Sequence, residues 1–249
     1  MQQEPTRQRK LDQQQIAAFY VDCFAKSQVD HFKRLTDPLS LPDASMVVDV
    51  GGGIGHFARE LASRSALRVR VIDSDEASVD ACLQLRDPRI QAFIGDALSP
   101  KVVGDEYVVC FNLILHHLVG NGEVETGNLQ RRALSAWMGN CRYIFVHEYI
   151  YESFIMDVSG RIIFEITRSR FLSKIGRMIG SLIRSFNANT FGVGVRFRSQ
   201  KEWCRLFREW GLDVEQKIDG EREAVSIPLR ALLIREIRRD SFLLSMRRV

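Results

Sequence analysis

Four glycines in five positions directly follow a run of β-branched residues and one acid, in the segment VVDVGGGIGHF at residues 47–57. Val and Ile favour a β-strand, whereas a tight turn from a strand into a helix favours residues that lack a Cβ atom. Such a turn is typical of nucleotide binding, but the dinucleotide fingerprint GxGxxG is not met, because His56 stands where its third glycine is required. The segment instead reads DxGxGxG from Asp49, which predicts a nucleotide loop of another kind.

Further polar residues end the next predicted strands. Asp73 closes the second strand, 24 residues after Asp49, and its carboxylate offers only acceptors, which suits the vicinal hydroxyls of a ribose. Asp96 closes the third strand in the segment GDAL, and Asn112 lies near the end of the fourth in FNLILHHL. Ligands of open α/β sheets bind beyond the carboxyl ends of the strands, so these side chains are predicted to gather there.

This ordered set of motifs resembles class I S-adenosylmethionine (SAM)-dependent methyltransferases over roughly residues 45–150. The resemblance implies SAM as the cofactor and S-adenosylhomocysteine (SAH) as its product. It also implies that Asp73 holds the ribose, that Asp96 and Ala97 lie against the adenine, and that Leu115 belongs to the fourth motif. The donor-binding residues expected from it are Asp49, Gly51, Gly53, Gly55, Asp73, Ser74, Asp96, Ala97 and Asn112. Residues 1–40 and about 150–198, where such enzymes usually build the acceptor site, are not covered.

Histidines follow the fourth and fifth predicted strands, on the side where ligands gather. A neutral histidine can take the proton of a phenol, whose ordinary pKa is about 10. The segment LILHHL looks like the stretch of small-molecule O-methyltransferases in which a histidine is the general base, and His116 matches that position better than His117. His147, in FVHEYIY, is another candidate. A packing or capping role is the alternative for each of them.

The elements that must position these residues follow an alternating pattern of short apolar strands and amphipathic helices. The predicted strands are MVVDV, LRVRVID, IQAFIGD, EYVVCFNLIL, RYIFVHEYI and, after a long interruption and the helix SQKEWCRLFREWG, LDVEQKI and RALLIREI. This pattern predicts an α/β fold with a doubly wound, seven-stranded, mostly parallel sheet. We expect an N-terminal helical lid at 1–42 and a methyltransferase domain at 43–249, with a helical cap inserted at about 152–198.

The interruption contains an amphipathic segment, FLSKIGRMIGSLIRSF at residues 171–186, with one apolar and one basic face. Its two glycines weaken an isolated helix by about 1 kcal/mol each, so other contacts must hold it. The alternatives are a cap over an apolar acceptor pocket, a homodimer contact, or a surface for anionic lipid or an acidic carrier protein. Residues 161–249 hold 19 Lys and Arg against 10 Asp and Glu, which favours a negatively charged partner. Arg196 and Arg198, which follow, are expected to face an acidic group or solvent, with solvent as the default.

Several classes of protein are disfavoured. The five cysteines show no CxxC spacing and no cysteine–histidine cluster, so we expect no metal and a reducing compartment. No apolar run reaches the ~18 residues of a membrane span, and the polar N-terminus lacks the apolar core of a signal peptide. The Asn/Asp-Pro-Pro-Tyr type of motif found in nucleic-acid N-methylating enzymes does not follow Asn112, so no nucleic acid is expected. We therefore expect a cytoplasmic protein, peripheral at the membrane if residues 171–186 bind lipid.

The resemblance and the histidines together predict an enzyme that moves a methyl group from SAM to a hydroxyl of a small, largely apolar acceptor, aromatic or polyketide- or quinone-like. Secondary-metabolite biosynthesis is the expected setting. One alternative is a C- or N-methyltransferase acting on a hydrophobic or carrier-bound acceptor, which would not need His116. Another is a catalytically inactive donor-binding scaffold or a partner subunit at a membrane surface.

Overall fold

A seven-stranded sheet with strand order β3-β2-β1-β4-β5-β7-β6 forms the centre of the computed structural model, which describes residues 24–168 and 194–247. Strand β7 runs antiparallel to both β5 and β6, and the other neighbouring strands pair in parallel. The strands are β1 (Met46–Val50), β2 (Arg68–Asp73), β3 (Ile90–Ile94), β4 (Glu106–Asn112), β5 (Tyr143–Ser153), β6 (Leu212–Ile218) and β7 (Ile234–Met246). The predicted fold class, a doubly wound and mostly parallel seven-stranded sheet, is confirmed.

Helices cover both faces of this sheet. They are α1 (Ala25–Thr36), α2 (His56–Arg64), α3 (Glu76–Leu83), α4 (Glu123–Ser135), α5 (Val158–Arg168), α6 (Gln200–Glu209) and α7 (Ile227–Ala231), with short 3₁₀ turns at Asp37–Leu39 and Leu115–His117. None of the helices in the described ranges is long and apolar enough to span a membrane.

Two apolar layers hold the helices against the sheet. One layer joins β1, β4 and β5 to α4 and α6, with Trp137 and Trp203 fully buried in it. The other joins the opposite faces of the same strands to α1, α2 and α3, where the Phe32 ring lies 5.8 Å from that of Phe57 and 5.4 Å from that of Phe145. Burial of both faces explains why every residue of β1 is buried and why its sequence is a continuous apolar run around one acid.

The last strand differs from its prediction. The segment RALLIREI was expected to form a strand throughout, but its first residues belong to α7 and β7 begins only at Ile234. A proline in its first turn favours the start of α7, and the left-handed backbone of Leu233, with φ at +62°, separates α7 from β7. Beyond Ile234 the strand is longer than predicted and continues to Met246, because it pairs with β5 on one side and β6 on the other.

The predicted lid and cap are described only in part. Of residues 1–42 the structure describes 24–42, in which α1 packs on the sheet and α2. Of the cap it describes the end of β5, helix α5 and the segment from 194 onward. The amphipathic segment at 171–186 lies outside the described residues, so its three alternatives stay open.

Candidate functional site

The glycine loop after β1 turns the chain sharply into α2. Gly51, Gly53 and Gly55 all adopt left-handed backbone, with φ at +70°, +54° and +82°. A Cβ atom at Gly55 would lie 2.5 Å from the Cys82 sulfur, so α3 packs too closely for any other residue. At Gly53 an added Cβ would meet nothing within 4 Å, which shows that this part of the loop faces open space at the carboxyl edge of the sheet.

Asp49 lies fully buried beneath this loop. Its Oδ1 accepts a hydrogen bond of 2.9 Å from the Asn112 side-chain amide, whereas its Oδ2 lies against Gly52 and has no hydrogen-bond partner among the described residues. Burial raises the pKa of Asp49 to about 7, although the bond from Asn112 opposes the rise. A buried acceptor without a partner is rare, and it marks a place where a ligand group can contribute.

Asp73 connects the end of β2 to the same loop. Its Oδ2 accepts from the Gly53 N–H at 2.8 Å and its Oδ1 from the Asp75 N–H at 2.9 Å. Burial raises the pKa of Asp73, against the lowering effect of these two N–H groups. Each carboxylate oxygen can accept a second hydrogen bond, so the fixed carboxylate keeps capacity for the hydroxyls of a ligand.

The other predicted donor-binding residues lie at the neighbouring strand ends. The Gly95 N–H donates to the Asp73 carbonyl oxygen at 2.8 Å, which brings the ends of β2 and β3 together. Beyond β3, Asp96 is exposed and accepts from the Leu98 N–H at 2.8 Å, Ala97 packs partly against the core, and Ser74 is exposed. The structure thus brings the whole predicted set to one edge of the sheet; its role in donor binding stays a prediction.

His116 forms a buried pair with Glu148 of β5. Its Nδ1 lies 2.6 Å from Glu148 Oε2, and Glu148 Oε1 accepts from the Leu115 N–H at 2.6 Å. Because a carboxylate can only accept, Nδ1 carries the proton in neutral His116 and Nε2 keeps its lone pair. The imidazole is 4 % exposed and lies 5.0 Å from the Phe197 ring and 5.8 Å from the Tyr149 ring. This arrangement can accept a proton at Nε2 and stabilise the resulting positive charge.

The other two histidines have different surroundings. The His117 ring lies 4.1 Å from that of His116, and burial lowers the pKa of His117 well below its usual range, with His116 adding to the effect. His147 points to the opposite face of β5 from Glu148, and its Nδ1 lies 2.7 Å from Ser241 Oγ. Burial, together with His31 and Arg239, lowers the pKa of His147 to about 3, so it stays neutral at ordinary pH.

The expectation that Arg196 and Arg198 face solvent is wrong. Both side chains are buried, and Glu123 and Glu202 pair with each of them. Two guanidinium groups taken out of water require partners of opposite charge, and the starts of α4 and α6 supply them.

This network also fixes the turn that carries His116. Arg198 donates to Gln130 Oε1 at 2.9 and 3.1 Å, and the Gln130 amide donates to the Leu115 carbonyl oxygen at 2.9 Å. The Arg196 N–H donates to the His116 carbonyl oxygen at 3.0 Å. The segment at 194–198, which returns from the predicted cap, is therefore hydrogen-bonded directly to the backbone of the candidate base.

Sequence reasoning did not identify Glu148 as the partner of His116. A signal was present, because Glu148 alternates with Val146 and Ile150, which are buried on the same face of β5. A carboxylate at a core-facing position requires a partner, and a nearby histidine is a natural one. In the described ranges, no group of three or more His, Cys, Asp or Glu side chains is placed to hold a metal ion.

The chain matches no protein-family model and no curated protein, but its structure matches many solved ones. A SAM-dependent methyltransferase of Leishmania major matches with a TM-score of 0.56 at 14% identity, covering 92% of this chain and 76% of that one. The mitomycin 7-O-methyltransferase MmcR matches with a TM-score of 0.52 at 13% identity, and 90% of this chain covers 54% of that one. The [4+2]-cyclase SpnF matches with a TM-score of 0.54 at 16% identity, over 86% and 81% of the two chains. The chain spans only about half the length of MmcR.

Proposed function

We propose that this chain, which has the class I SAM-dependent methyltransferase fold, transfers a methyl group from SAM to a hydroxyl of a small, largely apolar aromatic acceptor. The observation that carries the proposal is the His116–Glu148 pair, which lies among aromatic rings at the same sheet edge as the glycine loop. The solved methyltransferases that the chain matches support a methyl-transfer reaction, and MmcR supports an oxygen as the acceptor atom.

The residues at the sheet edge fit SAM. Asp49 Oδ2 is a buried acceptor without a partner, and a cationic amino group is the kind of partner that it lacks. Gly53 leaves open space above the loop, and Asp73 presents a fixed carboxylate that suits ribose hydroxyls. When bound, SAM supplies a methyl group on a positively charged sulfur, and loss of that methyl leaves SAH.

His116 has the hydrogen-bond arrangement that such a transfer requires. Its Nε2 takes the proton of the acceptor hydroxyl while the new O–C bond forms, and the imidazolium is stabilised by the Glu148 carboxylate at Nδ1. The neighbouring rings of Tyr149 and Phe197 exclude water and hold a flat acceptor against the imidazole. The protein's contribution is therefore to align the acceptor hydroxyl with the methyl group and to remove one proton.

The pKa of Asp49 makes donor binding dependent on pH. The carboxyl is protonated below about pH 7 in the free protein, and only its ionised form attracts an ammonium group. The affinity for SAH is therefore expected to rise up to about tenfold per pH unit between pH 5.5 and 7, measured by calorimetric titration. Asp49→Asn should weaken binding at pH 7.5 and flatten this profile, whereas Asp80→Asn, at an exposed position on α3, should leave it unchanged. A flat wild-type profile would remove Asp49 from the donor site.

A turnover assay separates the proposal from its alternatives. Purified chain with SAM and a panel of hydroxylated aromatic compounds should release SAH in equal amount to an O-methylated product, identified by mass spectrometry. A C- or N-methylated product supports the second methyltransferase alternative. The match to a [4+2]-cyclase favours testing for a change in the acceptor without SAH release. Full donor binding without any reaction supports the inactive scaffold.

The partners remain proposals. The excess of basic residues in 161–249 supports a negatively charged partner, which is an anionic membrane surface or an acidic carrier protein in our proposal. A cap over the acceptor pocket or a homodimer contact is the alternative role of 171–186, and we propose a cytoplasmic location.

A further inference from the structure

We propose that Arg239 recognises a carboxylate on the aromatic acceptor, so that the chain prefers hydroxylated aromatic acids over their neutral analogues. The inference rests on the proposed function, because it names the acceptor class of the same site. It adds a specificity-determining residue on β7, an element that contributes neither to the donor loop nor to the His116 pair.

Five rings, one of which is the candidate base His116, form what we call the aromatic cluster: Phe24, His116, Tyr149, Tyr151 and Phe197. Tyr151 stacks on Phe197 at 4.2 Å with the ring planes 10° apart. The Tyr149 ring lies 5.8 Å from the His116 ring, 5.9 Å from Phe197 and 6.5 Å from Phe24. A surface built from rings favours a flat, aromatic ligand.

Arg239 lies beside this cluster with part of its guanidinium unpartnered. It is opposite Tyr149 in the pairing of β5 with β7, and its Cζ lies 4.1 Å from the Phe24 ring centroid and 5.7 Å from that of Tyr149. Its Nη2 pairs with Glu223 Oε1 at 3.0 Å, whereas its Nη1 is buried and makes no hydrogen bond to any residue that the structure describes. A buried guanidinium nitrogen without an acceptor is costly, and a carboxylate is the acceptor that matches its planar geometry.

The charges around Arg239 leave room for an anion. His31 and His147 adjoin Arg239 and cannot act as its counter-ions, because an imidazole is neutral or positive, and burial lowers the pKa of both. Glu223 pairs with one nitrogen and is itself partly exposed, which weakens it as a counter-ion. The Arg239 guanidinium and the His116 imidazole each lie less than 6 Å from the Tyr149 ring. A molecule of one or two fused rings can place its carboxylate at the first and its hydroxyl at the second.

Calorimetric titration of the SAH-saturated chain with 6-hydroxy-2-naphthoate and with 6-hydroxy-2-naphthamide, whose hydroxyl and carbonyl groups lie at opposite ends of the fused rings, tests the inference. The acid should bind about 10- to 100-fold more tightly than the amide. Arg239→Gln should remove this preference by weakening the acid alone, with amide and SAH binding unchanged. Arg222→Gln, at an exposed arginine that pairs with Glu236, is the matched control and should keep the preference.

Two results would overturn the inference. The first is the absence of any preference for the acid in the wild-type chain, including binding of neither probe. The second is a loss of acid and amide binding by the same factor in Arg239→Gln, because this would show that Arg239 only anchors Phe24. Titration of SAH itself separates this failure from that of the proposed function, because in the latter case SAH does not bind.

Discussion

Replacement of His116 by alanine is expected to lower kcat by about 10²- to 10⁴-fold with a phenolic acceptor, because the variant lacks the group that removes the hydroxyl proton. SAH affinity should be unchanged, since the predicted donor-binding residues lie mainly on the glycine loop and at the end of β2. Glu148→Gln keeps the shape of the partner but removes its charge, so it should lower kcat by a smaller factor. The measurements are steady-state kinetics with SAH release and, separately, calorimetric titration of SAH.

His117→Ala serves as the comparison for this prediction, because His117 adjoins His116 in the same turn. We expect its kcat to stay within a few-fold of wild type if its circular dichroism shows an intact fold. Wild-type turnover in His116→Ala would contradict the base assignment and would favour a C- or N-methylated product. Loss of SAH binding in the same variant would instead show that His116 supports the donor site.

Arg196→Met is expected to lower the free energy of unfolding by about 3–5 kcal/mol. The substitution keeps much of the side-chain volume but leaves Glu202 with one partner fewer in a buried position and removes the Glu123 contact at 2.8 Å. For a chain of this length, such a loss corresponds to a decrease in Tm of roughly 10 °C, measured by differential scanning calorimetry. Because the Arg196 N–H is a backbone group, its bond to the His116 carbonyl oxygen can still form.

Arg205→Met provides the control for stability. Arg205 is exposed and pairs with Glu209 across one turn of α6, an arrangement worth about 0.3–0.5 kcal/mol at most. Its Tm should stay within about 2 °C of wild type. Equal Tm values for Arg196→Met and Arg205→Met would mean that the buried network does not hold the segment at 194–198 in place.

The sheet could be predicted from the sequence because its physical signals are local. Continuous apolar runs such as VVDV indicate strands buried on both faces, and glycines at fixed spacing indicate the turn that follows β1. The start of β7 was mispredicted for a local reason also, since RALLIREI is apolar enough for either a strand or a helix. Pairing with β5 and β6, which the segment itself does not reveal, decides where the strand begins and ends.

The residues of the candidate site also differ in whether a local sequence pattern predicts them. The clustering of the predicted donor-binding residues was predictable, because they lie at or just after the carboxyl ends of parallel strands, which end together. The His116–Glu148 pair joins residues 32 positions apart, and the Arg196 network joins three elements, so no local pattern reveals either of them. Arg239 lies two residues beyond the predicted strand RALLIREI, and the rings that it contacts, Phe24 and Tyr149, are distant in sequence, so no local pattern reveals it.

The central claim is that the glycine loop and Asp73 bind SAM, and calorimetric titration of SAM, SAH and NAD into wild-type chain, Asp73→Ala and the exposed control Asp80→Ala tests it. We expect micromolar binding of both sulfur nucleotides and no binding of NAD. We also expect a loss of affinity of about 10- to 100-fold in Asp73→Ala alone, because the hydroxyl acceptors are removed. Failure of SAM and SAH to bind the folded wild-type chain, or equal binding by the two aspartate variants, would contradict the claim.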